Sequence, residues 1–98
     1  MIDNPPKKLE DAVAYIIRQL SFPDKKVMAA CHDCSRMIGL THHGLGTCIR
    51  NELGLWGDNK ELLEDIQAYS EEEFIVVGDE ACAIVLEAIW KKLRENNE

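Results

Sequence analysis

Between Lys7 and Leu20 the apolar residues Leu9, Ala12, Val13, Ile16, Ile17 and Leu20 recur at i, i+3, i+4, i+7, i+8 and i+11. That spacing is one face of an α-helix, and the face has to be buried against something else. The chain has 98 residues, which is room for one domain with a small core, so the helix must meet other short helices of the same chain. Pro5 and Pro6 stand just ahead of it, where a missing N–H costs little.

The remaining segments repeat the theme. Ser21-Phe22-Pro23-Asp24 ends the first helix and starts a second, with Ser21 placed to accept from the N3 amide and Asp24 at the capping-box position. The second helix is expected to turn Val27, Met28 and Cys31 inward and to end or kink within Cys31-His32-Asp33-Cys34, with a short helix around Met37 and Ile38 after it. From His42 to Leu53 the positions Leu45, Cys48, Ile49, Glu52 and Leu53 share a helical face, which two glycines weaken by about 1 kcal/mol each relative to Ala. Gly54 followed by Leu55 reads as a Schellman ending, with a C′ glycine and an apolar C″ residue. Asp58 or Asn59 then caps a helix whose inner face is Leu62, Leu63, Ile66 and Tyr69. Ser70-Glu71-Glu72-Glu73 repeats the capping-box pattern, and Phe74-Ile75-Val76-Val77 is open between a helical turn and a short extended segment. Gly78 breaks this run, and Asp79 caps a last helix over about 80–94 that buries Ala81, Val85, Ala88, Ile89 and Leu93. The expected fold is a single all-α domain over residues 1–98, a compact bundle of five or six short helices, frayed at 1–6 and 95–98.

The charge is uneven. Residues 1–50 hold seven Lys/Arg and five Asp/Glu (+2), and residues 51–98 hold four and thirteen (−9), which together make the formal −7. This is the reverse of the basic footprint that a nucleic-acid binder needs. No apolar run approaches the roughly 20 residues of a membrane span, and the opening residues lack a signal-peptide pattern. We therefore expect a cytoplasmic protein with reduced cysteines, no cofactor, and neither a nucleic-acid nor a membrane partner.

Four constellations could carry chemistry. Cys31 and Cys34 at C-x-x-C spacing, joined by His42 or His43, would give a metal or sensor site, or a redox pair; without a second such pair the signal is weak, and they read first as core cysteines. His42 could serve a small enzyme as a general base, or pack across a helix interface. Arg50, Asn51 and Trp56 come next. Arg50 is placed to pair with a carboxylate such as Asp79, Asn51 to close its turn, and Trp56 to anchor the loop; together with His42 they would alternatively form a recognition patch. Last, Glu61, Glu64 and Asp65 lie on the outer face of one helix, and Glu71, Glu72 and Glu73 follow at a junction. These acids are either a solvated face or a steering surface for a basic protein partner.

His42-x-x-Leu45-Gly46-x-x-Ile49-Arg50-Asn51-x-x-Gly54-Leu55-Trp56 resembles the signature of a family of uncharacterised small bacterial domains. The likeness continues through Leu62, then Asp79, Cys82, Val85 and Leu86, and ends on Trp90 and Leu93. It implies a small helical module in which His42, Arg50, Asn51 and Trp56 form one cluster, and it brings no activity with it. The family often has an aromatic residue where Cys48 stands and a serine where Cys82 stands. Both cysteines therefore look like packing residues rather than ligands.

Overall fold

A computed structural model describes residues 4–31, 45–71, 73 and 76–96, without the side chain of Asn96. Five helices occur among the described residues: α1 (Leu9–Gln19), α2 (Phe22–Ala30), α3 (Leu45–Leu53), α4 (Lys60–Ser70) and α5 (Asp79–Asn96). The fold is an all-α bundle, with no strand among those residues. The expected short helix around Met37 and Ile38 lies outside them.

The longest helix, α5, is the axis. It packs against each of the other four, and α1 also packs against α4. Ala81, Cys82, Val85, Leu86 and Ile89 of α5 are fully buried, as are Ile49 and Leu53 of α3, Leu55, and Leu62 and Ile66 of α4. Leu9, Ala12, Val13 and Ile16 close the core from α1, as the 3.6-residue period requires.

The helix ends explain themselves one by one. Ser21 Oγ accepts from Asp24 N–H at 3.3 Å and starts α2 as the pattern predicts. Gly54 takes φ 70° and Leu55 N–H reaches the Arg50 carbonyl at 3.1 Å, the six-to-one bond of a Schellman ending, with Leu55 buried. Asn59 is the N-cap of α4.

Other ends differ from the sequence reading. Lys8 at the N-cap of α1 supplies no side-chain acceptor; Asp65, reached across the bundle from α4, accepts from Leu9 N–H at 2.6 Å. Asp65 is therefore half-buried and engaged, not part of an outer acidic face, whereas Glu61 and Glu64 are exposed. Ser70 does not begin a helix. It is the last residue of α4, its hydroxyl donates to the Gln67 carbonyl, and Glu71 ends the helix in the left-handed region at φ 59°. Val76 and Val77 belong to neither helix nor strand; Val76 is buried and its N–H donates to Gln67 Oε1 at 2.7 Å. Gly78, not Asp79, precedes the first residue of α5 and accepts from Cys82 N–H through its carbonyl.

Three inward assignments are corrected. Cys48 of α3, read as a packing residue, is exposed. Val27 is 62% exposed and Tyr69 46% exposed. Only Met28 and Ala29 of α2 are buried, because α2 meets the bundle along a narrow strip next to its C-terminus. That end has no basic residue of its own. Arg94 and Trp90 of α5 serve instead: Arg94 Nη1 donates to the carbonyls of Ala29 (3.0 Å) and Cys31 (2.9 Å), and Trp90 Nε1 donates to Cys31 O at 2.8 Å. The guanidinium also lies 5.2 Å from the Trp90 ring centre. Orphan carbonyls at a helix C-terminus attract a cation, and here it comes from more than sixty residues away.

Candidate functional site

Three elements meet where α3 ends and α5 begins, and the apolar pattern dictates which side chains arrive there. Ile49 and Leu53 bury the inner face of α3, so Arg50, one residue after Ile49, is carried to the edge of the core, where it is only 8% exposed. A charge taken this far from water needs partners. Nη2 donates to Thr47 Oγ1 one turn back at 3.0 Å. Nη1 stands 3.2 Å from Asp79 Oδ1, yet it is out of line for a hydrogen bond, so that contact is coulombic. Asp79 is the carboxylate that the sequence offers to Arg50, and its side chain is largely exposed, so solvent screens the pair.

The third partner is Trp56. The Schellman ending directs the chain out of α3, and the Trp56 ring lies with its centre 5.8 Å from the Arg50 guanidinium carbon. Its other neighbour is Gly78, which has φ 61° and donates its N–H to the Leu55 carbonyl at 2.7 Å. A Cβ on Gly78 would stand 2.6 Å from Trp56 Cζ3, so the indole occupies the space that any other residue's side chain would need. Trp56 is nonetheless 59% exposed. The ring is fixed along one side and offered to solvent on the other.

Cys82 lies beneath the cluster, fully buried, with its thiol directed at the Gly46 carbonyl at 3.4 Å. Burial pushes the Cys82 thiol above its ordinary value of 9.0; the neighbouring Arg50 charge partly offsets this. Between the unfolded and folded values, the unfolded chain gives up a proton that the native protein keeps, so stability falls as pH rises through that window and is unaffected below it. Urea titrations at about pH 8 and pH 10 should show a loss that is smaller in a Cys82→Ala variant. Site-resolved alkylation of the native protein should label exposed Cys48 readily, and Cys82 only as the molecule unfolds. Labelling of Cys82 at the rate of Cys48 would contradict its burial.

The site thus unites Arg50 with Asp79 and Trp56, as the sequence suggests, and adds Thr47 and Gly78. Asn51 does not join it: its side chain is exposed, and the backbone bond from Leu55 closes the turn. Glu71 and Glu73 are exposed at the end of α4 and beyond it. His42, His43, Cys34 and Glu72 lie outside the described residues. Cys31 is half-buried, and among the described residues no group of three or more His, Cys, Asp and Glu side chains is placed to hold a metal. No helix among them is long and apolar enough to cross a membrane.

Asn59 escaped sequence reasoning except as a cap. It is buried, its Oδ1 accepts from Leu62 N–H at 3.4 Å, and its Nδ2 donates to the carbonyls of Leu53 (3.0 Å) and Pro6 (2.9 Å). One amide therefore ties together the end of α3, the start of α4 and the segment ahead of α1. The adjacent Gly57-Asp58 turn hid this role behind an ordinary capping signal.

Short helices gathered on one long helix, with a polar cluster exposing a tryptophan at its edge, define a small helical-bundle domain. The chain belongs to the family described as Domain of unknown function (DUF6794), which matches residues 5–93. No curated protein and no solved structure matches it significantly.

Proposed function

We propose that this protein is a small non-enzymatic binding module of the bacterial cytoplasm that regulates or neutralises a basic protein partner, in the manner of an inhibitor or immunity protein. The observation that supports this most is Trp56. Its ring is held by Arg50 and Gly78 while more than half of the residue faces solvent. A pre-positioned aromatic loses little freedom on binding, and Trp and Arg dominate interface hot spots.

Charge supports the choice of partner. Asp58, Glu71, Glu73, Asp79 and Glu80 are exposed in the half of the sequence that carries −9. A field of one sign accelerates encounter with a partner of the other sign and is screened by salt. The contact would pair the Trp56 face with a basic surface, and the acids would steer the approach.

Affinity capture from host lysate tests the reading. A basic protein should be retained at low salt, released at high salt, and lost when the bait carries Trp56→Ala. With the partner in hand, Trp56→Ala should weaken binding by about 2 kcal/mol, roughly thirtyfold. Retention of the same protein by the Trp56→Ala bait, or retention of nothing at low salt, would refute the proposal.

A further inference from the structure

Among the described residues four large apolar side chains are exposed: Phe22, Val27, Trp56 and Tyr69. Trp56 belongs to the cluster above. The other three mark two features that suit each other.

The first is a ridge. At about 100° per residue, Phe22, Lys26, Ala30, Pro23 and Val27 span a sector of roughly 140° on α2. All five are exposed, with Phe22 77% and Val27 62% accessible, while Met28 and Ala29, outside this sector, are buried. The outward face of α2 is therefore apolar, with one cation within it.

The second is a groove of about 810 Å³ between α1, α4 and α5, floored by Val13, Ala14, Ile17, Ala68, Tyr69 and Ala88. Glu10 and Glu95 stand on its rim, as do Arg18 and Lys92, and none of these four makes an ion pair among the described residues. No residue of the Arg50–Trp56 cluster lines it.

We propose that α2 of one copy seats in this groove of a second copy, and reciprocally, to form a two-fold dimer. The lengths agree: α2 and the α1 wall from Leu9 to Arg18 each run about 13 Å at 1.5 Å per residue. The charges agree as well. Lys26 within the ridge would meet the rim carboxylates Glu10 and Glu95. Arg18 and Phe22 are four residues apart, so the ridge and the groove come within about 13 Å of each other. Neighbouring complementary patches close under a two-fold axis, and reciprocity counts the contact twice toward the about 800 Å² per partner that a stable interface buries. Trp56 stays free, so the dimer is independent of the function proposed above.

Sedimentation equilibrium of the full chain at high micromolar concentration provides the test. The wild type should sediment at twice the chain mass. Phe22→Glu, Lys26→Glu and the pair Glu10→Lys with Glu95→Lys should each weaken the dimer by roughly tenfold or more, because like charges or an unpaired charge then face each other across the contact. All these positions are on the surface, so circular dichroism should be unchanged. Mixing the Lys26→Glu protein with the Glu10→Lys, Glu95→Lys protein restores opposite charges at both contacts and should restore the dimer. A monomeric wild type, variants that dimerise like the wild type, or a mixture that stays monomeric would each overturn the proposal.

Discussion

Replacing Asn59 with alanine is expected to lower the unfolding free energy by about 3 kcal/mol. The change removes the N-cap of α4, worth about 1 kcal/mol, and leaves the buried Leu53 carbonyl without its donor, at about 1–3 kcal/mol. The Pro6 carbonyl loses its partner too, and with it the tie to the segment ahead of α1. For a domain of this size the midpoint should drop by roughly 10–20 °C. Asn59→Asp separates the two contributions. An aspartate keeps the capping oxygen but has no donor, and it turns a negative oxygen toward two carbonyls, so it should be no better than alanine. Chemical denaturation of the three proteins decides the matter: an aspartate variant as stable as the wild type would reduce Asn59 to a simple cap.

Replacing Gly78 with alanine should cost about 2 kcal/mol of stability and also remove binding through Trp56. Two causes act together. At φ 61° a residue with a Cβ is strained by about 1–2 kcal/mol, and the new methyl would stand 2.6 Å from the indole, so the ring must leave its place over Gly78. Leaving also separates it from Arg50, a contact worth about 0.5–1 kcal/mol at an exposed site. A double-mutant cycle with Trp56→Ala separates strain from displacement. With the ring gone only the backbone strain remains, so the double variant should be more stable than the two single costs predict when summed. Strict additivity would mean that the indole does not rest on Gly78.

What could be read in the chain and what could not divides along physical lines. Contacts within one turn were legible: the core face of α1, the Ser21 cap, the Gly54-Leu55 ending and the Asn59 cap all follow from local spacing. So did the Arg50–Asp79 pair, because a buried-side arginine in a last turn calls for a carboxylate and Asp79 opens the next long helix. Partners supplied from a distance were not legible. Asp65 looks like a solvated acid until it is found capping α1, and Arg94 looks like an ordinary last-turn cation until it is found holding α2. Val27 fits a helical period that α2 does not use, because only two of its residues reach the core. Gly78 gave no sign of the ring above it.

The placement of α5 also governs how the chain reaches its native state. Each of the other four helices packs on α5, and apart from α1 with α4 they share few contacts among themselves. During synthesis α5 leaves the ribosome after the four helices it organises, and α2 cannot be fastened until Trp90 and Arg94 have emerged. The contacts that define the core are therefore long-range in sequence, which slows their formation and exposes apolar faces in the meantime. The core of this bundle therefore closes only when its last helix arrives, and the earlier helices wait for it.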